Sequence, residues 1–385
     1  MNKINIIQFM PYFPPHKGGL ETVGEEIGIN WQKNNLGFFV NIITSFDQEK
    51  EIENNEKIIY KDEVIGYIKN NITHLVIPSF EIINNFPMYK FWDKKTKLIF
   101  AHLKENFIEK FDVDSIRVIT HTRFFLPSLF GGIFARKHKL KWIHIEHGSD
   151  YVKLSSKLKT NLSIIYDKLF GKWIFKKADI VLAISEACKR FINNEFIDRD
   201  LEVFYRGIDL GKIDLDKKGD IKFVFIGRLV LLKGVLDLIE VYKELNIKNE
   251  LIIIGDGDER KNLEKLSFGY NINFLGFKDK EFILDFLGKN NCICINASYM
   301  EGLPTSVIES LIMGCPTIAS NVGGTSEISD KSDLILFEAG NKDELGKKIL
   351  QVLENYNDLK GISKNEIEKR FKREESILNL YNFIK

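Results

Sequence analysis

Two glutamates with seven residues between them carry the clearest suggestion of chemistry in this chain. They bound the stretch Glu301-Gly302-Leu303-Pro304-Thr305-Ser306-Val307-Ile308-Glu309, which follows the apolar run 292–295. Pro304 suits the first turn of a helix, and Val307, Ile308, Leu311 and Ile312 form its buried stripe. Gly302 permits close backbone approach by a ligand. The loop aims free amides at whatever lies above the helix N-terminus, which favours an anion or sugar hydroxyls. Glu301 is on the loop, and Glu309 is on the helix with its side chain tilted back toward the same end. Together they can address one ligand from two sides. Taken singly, Glu309 reads as a complement to the helix dipole and Glu301 as a surface charge.

A second constellation is Gly227-Arg228 followed by Lys233-Gly234, at the end of the apolar run 221–226. Strand C-termini are where open α/β sheets bind ligands. Two cations beside helix amides suit a diphosphate, Arg as a fork and Lys as a point charge. The paired glycines Gly18-Gly19 open a helix-period stretch after the first strand candidate. They let amides approach a phosphate or sugar, although a plain βα turn has the same residues. No G-x-G-x-x-G dinucleotide fingerprint occurs here, and Gly255-Asp-Gly257 is only a fragment of one. His147 stands at the end of Ile143-His-Ile-Glu-His147, a position suited to a cleft, and His121 is a weaker candidate of the same kind. Asp112-x-Asp114, Asp198-x-Asp200, Asp214-x-Asp216 and Asp256-x-Asp258 match the metal-binding Asp-x-Asp pattern, but such pairs are common in any charged chain.

These residues need a scaffold of strand ends. Strands are expected over 4–9, 39–44, 73–77, 116–120, 141–145, 180–184 and 201–205. A second series runs over 221–226, 250–254, 272–275, 292–295, 316–319 and 333–337. Helix-period segments alternate with them, among them 21–34, 157–177, 186–195, 234–246, 279–289, 304–313 and 341–355. Repeated β-then-α order argues parallel sheets covered on both faces, here in two doubly wound domains. The seam falls near Gly207–Gly219. Residues 1–206 make the first domain and 207–363 the second, and a helix over about 364–385 is expected to pack back on the first.

Length and composition agree with this. The chain has 385 residues, 44% hydrophobic and 28% charged, ordinary for a globular protein of two domains. The net charge of +1 argues against a nucleic-acid binder. Yet residues 131–190 hold 13 basic and 5 acidic side chains. With the aromatic run from Phe124, they make 124–177 a candidate for an anionic membrane surface. A buried helix followed by a solvated Lys-rich one reads equally well. Four cysteines without metal-ligand spacing and no secretory signal point to the cytoplasm, and the basic segment adds a peripheral position on the inner membrane face.

Taken in order, the motifs resemble the family-4 glycosyltransferases, retaining enzymes with the GT-B fold. The resemblance rests on Gly18-Gly19, His147-Gly148, Ile184-Ser-Glu186, Arg206-Gly-Ile-Asp209, Gly227-Arg228 with Lys233-Gly234, Gly255-Asp-Gly-Asp-Glu-Arg260, Phe274-Leu-Gly276, Glu301 to Glu309 and Val322-Gly-Gly324. Arg206 stands where the family usually has Asn. The resemblance implies two Rossmann-like domains facing across a cleft, the first for the acceptor and the second for a nucleotide-sugar donor. It implies that Arg228 and Lys233 bind the diphosphate and that Glu309 bonds the ribose. Glu301, with the loop of Gly302, Leu303, Pro304 and Thr305, would hold the sugar. Gly18 and Gly19 would lie by the phosphates, His147 by the sugar, and Gly276 and Phe277 by the base. No cofactor is implied, since the donor is a substrate, and no metal, since Arg228 and Lys233 would supply the positive charge. A UDP-sugar is favoured, with a glycan or lipid-linked acceptor in cell-surface polysaccharide synthesis. Competing readings are a GT-B epimerase or hydrolase acting on a nucleotide sugar, a non-catalytic nucleotide-sugar-binding subunit and, on fold alone, a dehydrogenase.

Overall fold

The computed structural model describes residues 2–16, 19–83, 86–152, 157–209 and 215–385. Gly18 therefore lies outside the described residues. The chain divides into two compact α/β units. The first comprises Met1–Ile184, Cys188–Arg206 and Glu374–Lys385, and the second Ser185–Ala187 and Gly207–Arg373.

In the first unit the strands are β1 (Asn5–Phe9), β2 (Phe39–Thr44), β3 (Glu56–Tyr60), β4 (Glu63–Lys69), β5 (Ile72–Ile77), β6 (Ser79–Ile83), β7 (Phe86–Tyr89), β8 (Ile116–His121), β9 (Lys141–Glu146), β10 (Ile180–Ala183) and β11 (Glu202–Val203). Nine of them form one sheet in the order β11-β10-β9-β8-β1-β2-β5-β4-β3, and β6 pairs with β7. Pairing from β11 across to β5 is parallel. Strands β1, β2 and β8 are buried along their whole length, as strands covered on both faces must be. The chain runs outward from β1 through β2 to β5, then returns to set β8 on the other flank of β1. The C-terminal ends of β1 and β8 thus border the crevice where such a sheet receives ligands.

The antiparallel hairpin β3–β4 was not expected. Its turn places Lys61 and Asp62 at positive φ without the Asn-Gly or Asp-Gly signal of a two-residue hairpin, and β3 is largely exposed. The segment 157–177 is also not one helix. It runs as helix Lys157–Tyr166, a π turn Asp167–Gly171 and helix Lys172–Lys177. The extra residue of a π turn re-aims a side chain. Here Asp167 is buried and pairs with Arg123 at 2.9 Å.

The second unit has β12 (Lys218–Ile226), β13 (Leu251–Ile254), β14 (Ile272–Gly276), β15 (Asn290–Asn296), β16 (Thr317–Ser320) and β17 (Leu334–Phe337). They form one sheet in the order β14-β13-β12-β15-β16-β17, parallel throughout. Here the order reverses at β12 and β15, so their C-terminal ends frame the crevice. One core layer includes Phe223, Phe225, Ile253 and Ile293. The other includes Val224, Ile252 and the buried thiols of Cys292, Cys294 and Cys315.

The tail differs from the single helix expected over 364–385. Helix Lys364–Arg370 stays with the second unit, where the Ser363 hydroxyl and amide both donate to Asp333 Oδ2 at 2.8 Å. Helix Arg373–Ile384 buries Ile377, Leu380, Tyr381 and Ile384, and its residues from Glu374 onward belong to the first unit. There the Tyr381 hydroxyl donates to the Asn2 carbonyl at 2.8 Å and Arg117 Nε to the Ile384 carbonyl at 2.7 Å.

Candidate functional site

In the second unit two loops are tied together at the crevice end of β12 and β15. The turn after β12 carries Gly227, Arg228 and Lys233 and ends at Gly234, the N-cap of helix Val235–Glu244. Gly234 has φ +63, and a Cβ there would lie 2.0 Å from the Ala297 carbonyl oxygen. Only glycine allows that left-handed, backbone-on-backbone contact. Ala297 follows β15, and the Tyr299 amide donates back to the Leu232 carbonyl at 2.9 Å. This clamp brings the Lys233 ammonium to Glu301 Oε1 at 2.6 Å. Ser298 donates its hydroxyl to the same oxygen at 2.6 Å and Asn296 Nδ2 at 3.3 Å. One carboxylate oxygen therefore accepts from three donors, a strong and directional anchor.

Downstream, the Gly302 carbonyl accepts from the Gly324 amide at 2.9 Å, which holds the loop over Leu303. Pro304 is the N-cap of helix Thr305–Ile312, and no side chain caps it. Its first-turn amides face the same end as Glu301, an arrangement that attracts an anion or hydroxyl oxygens. Glu309 is on this helix with Lys280 Nζ 3.7 Å from its carboxylate. Arg228 is exposed and makes no ion pair among the described residues. Gly276 ends β14 with φ +70, and Phe277 beside it is 50% exposed. The structure thus brings Lys233, Glu301 and the 302–305 loop together, with Arg228, Gly276, Phe277 and Glu309 on the same unit.

The first unit holds His147 and Gly19. Gly19 opens helix Gly19–Lys33, and nothing lies within 4 Å of where its Cβ would be. Arg206 donates to the Gly19 carbonyl at 3.4 Å and to Glu26 at 3.3 Å. His147 follows β9, and its Nε2 is 3.0 Å from His121 Nδ1 at the end of β8. Burial lowers the His147 pKa to about 4; Glu146 opposes this, and Arg206 and His144 add to it. At neutral pH the ring is therefore an uncharged hydrogen-bonding group. Glu146 itself is buried. Burial would raise its pKa, but Arg123 above all and His144 hold it down to about 2. It accepts from the amides of Arg123, His147 and Gly148 at 2.9, 3.0 and 2.7 Å, so the His147 backbone is pinned by this buried carboxylate.

Sequence reasoning singled out His147 but missed Gln8, which bonds His121 behind it, and Asn41, which bonds Gln8. Gln8 and Asn41 are polar residues inside otherwise apolar strands, and that interruption was their signal. The supports of Glu301, Asn296 and Ser298, gave no comparable signal. Among the described residues no group of three or more His, Cys, Asp or Glu could hold a metal ion. No helix among them is long and apolar enough to cross a membrane.

Comparison with known proteins adds the following. The family described as "Glycosyl transferases group 1" matches residues 211–369, and "Glycosyltransferase Family 4" matches residues 17–212. The chain is 36% identical to the glycosyltransferase MJ1069 of Methanocaldococcus jannaschii, over 98% of this chain and 97% of that one. It is 26% identical to the N,N'-diacetylbacillosaminyl-diphospho-undecaprenol alpha-1,3-N-acetylgalactosaminyltransferase of Campylobacter jejuni, over 52% of each chain. Among solved structures, Anabaena Alr3699/HepE in complex with UDP and glucose superposes with a TM-score of 0.70 at 16% identity, covering 98% of both chains.

Proposed function

We infer the reaction from the premise that this chain belongs to the group 1 and family 4 glycosyltransferases, with the GT-B fold. It moves a sugar from a nucleotide diphosphate, a UDP-sugar, to a lipid-linked or polysaccharide acceptor with retention at the anomeric carbon. The observation that carries this reading is the Lys233–Glu301 cluster, held by Ser298 and Asn296 at the crevice of the second unit. Departure of the diphosphate builds negative charge. The fixed ammonium of Lys233, the guanidinium of Arg228 and the uncapped amides from Thr305 stabilise that charge more in the transition state than before it. Glu301 accepts from the sugar hydroxyls and Glu309 from the ribose. Gly276 and Phe277 border the base. The acceptor hydroxyl attacks from the face the diphosphate leaves. Its proton passes to the departing phosphate oxygen, and no enzymic nucleophile or metal enters. His147 offers a ring nitrogen to a sugar hydroxyl.

UDP is favoured because the Anabaena neighbour binds it, and a lipid-linked acceptor because the Campylobacter relative acts on one. Membrane contact is supported by the helix Lys157–Tyr166 and the turn after it. Leu158, Leu162, Ile165 and Leu169 recur at helical spacing and are between 56% and 71% exposed. Lys159, Lys168, Lys172, Lys176 and Lys177 flank them, the composition of an interfacial surface.

The test is calorimetric screening of UDP, GDP and ADP with their sugars. UDP release in the presence of undecaprenyl-diphosphate-linked acceptors follows, with the anomeric configuration of the product read by NMR. Inverted product would overturn retention. Donor conversion that needs no acceptor would favour the epimerase or hydrolase instead.

A further inference from the structure

A row of buried polar side chains crosses the first unit beneath its crevice, one from each of four neighbouring strands. His74 on β5, Asn41 on β2, Gln8 on β1 and His121 on β8 bond in succession, and His121 reaches His147. We propose that Gln8 and His121 are positioning residues that fix His147 as its Nε2–H tautomer, presenting Nδ1 as an acceptor for a sugar hydroxyl. This rests on the reading that His147 meets that sugar.

The direction of every bond follows from one backbone carbonyl. Gln8 Nε2 lies 2.9 Å from the Gly24 carbonyl oxygen and 2.7 Å from Asn41 Oδ1. A carbonyl cannot donate, so the amide nitrogen of Gln8 must face Gly24. Gly24 is a glycine for this reason in part: a Cβ would sit 3.3 Å from Gln8 Nε2 and 2.4 Å from Met10 Cε. The Gln8 oxygen then faces His121 Nε2 at 2.9 Å. An amide oxygen only accepts, so His121 carries its proton on Nε2.

His121 is fully buried, and burial above all, with His147 and His144 adding to it against Glu146, holds its pKa well below the ordinary value. Its ring is neutral and its Nδ1 bare. His147 Nε2 lies 3.0 Å from that bare nitrogen. Two lone pairs cannot share a hydrogen bond, so His147 must donate from Nε2. The groups facing His147 are His121, Glu146, His144 and Arg206. They leave it uncharged, with one proton, and that proton is spoken for. Nδ1 is left as a lone pair, bonded by no described residue. Such a nitrogen takes a hydroxyl hydrogen. A carboxylate or carbonyl oxygen at the same place would meet it lone pair to lone pair.

The experiment is long-range proton–nitrogen NMR of the full chain labelled with nitrogen-15 in its imidazoles, with His147 assigned by its loss in His147→Gln. The expected spectrum has His147 Nε2 protonated and Nδ1 bare, with His121 also protonated on Nε2. His147 found with its proton on Nδ1 in the unmodified protein overturns the proposal. Gln8→Leu should leave His147 as a mixture of tautomers and lower UDP release about tenfold. Gln8→Glu should draw a second proton onto His121, whose Nδ1–H then drives the His147 proton to Nδ1. A purely structural role for Gln8 would alter melting without moving either tautomer. If these variants do not fold, the unmodified spectrum still decides. His147→Ala retaining full UDP release would overturn the reading of His147 as a sugar contact while leaving the tautomer result intact.

Discussion

The Lys233 ammonium and the Glu301 carboxylate lie 2.6 Å apart, joined across two loops that follow different strands of one sheet. Neither side chain alone would hold this geometry. The Gly234–Ala297 backbone contact brings the loops together, and Ser298 and Asn296 fix the carboxylate.

Removing either partner should cost transition-state stabilisation. Lys233→Ala and Glu301→Ala are each expected to lower kcat/KM by at least about 100-fold, measured as UDP release. Near-normal rates in both would exclude this cluster as the donor site.

Gly234→Ala tests the clamp. The new Cβ meets a carbonyl oxygen at 2.0 Å in a left-handed conformation, so unfolding free energy should fall by about 2 kcal/mol or more. Urea denaturation measures it, and an unchanged midpoint would show that the contact can relax freely.

Acid should weaken the first unit. In the unfolded chain His74, His121 and His147 take up protons as pH falls through 6.5. In the folded chain burial delays this to about 3 for His74 and about 4 for His147. The unfolded state binds more protons across that window, so stability rises with pH up to 6.5 and is level above, by about 1.4 kcal/mol per pH unit per proton. Glu146, held at about 2 against 4.5, contributes fully above pH 4.5 and loses that contribution toward pH 2. Asp167 opposes them, since burial raises it to about 6 from 3.8 and its folded form binds the extra proton in between. Glu25, raised by burial, and His16, raised by its bond to Glu21, oppose them too, but burial also lowers His102 and His138, and the five lowered histidines outnumber these three groups. The urea midpoint at pH 5 should therefore lie below that at pH 7, and His74→Asn should flatten the difference. Equal midpoints in the unmodified protein would contradict these shifts.

In the proposed mechanism Lys233 and Arg228 supply the positive charge, so chelation by EDTA should leave transfer unchanged. Loss of activity restored by a divalent cation would reassign that role to a metal.

The exposed stripe offers a separate test. Leu162→Glu with Leu169→Glu should reduce sedimentation with anionic vesicles several-fold. Melting should stay unchanged, because both side chains are already largely exposed. Undiminished binding would place the membrane contact elsewhere.

Much of the scaffold was legible because the parallel strands at the centre of both sheets are buried on two faces, which writes near-continuous apolar runs into them. The hairpin β3–β4 was not, since its outer strand is exposed and its turn uses Lys61 and Asp62. The break at Asp167–Gly171 was hidden for another reason. Helical periodicity reports one face of a helix, whereas this turn answers to Arg123, far away in sequence.

What the sequence offered by itself was the set of candidate groups for the proposed chemistry, Arg228, Lys233, Glu301, Glu309 and His147, and their places on turns and helices that follow strands. Local rules of turn and helix start govern those. Only the tertiary structure decided that Lys233 and Glu301 share a carboxylate oxygen with Ser298 and that a proton is held on one nitrogen of His147. Those properties depend on distances between separate strands and on low-dielectric burial, and neither is encoded in residue spacing.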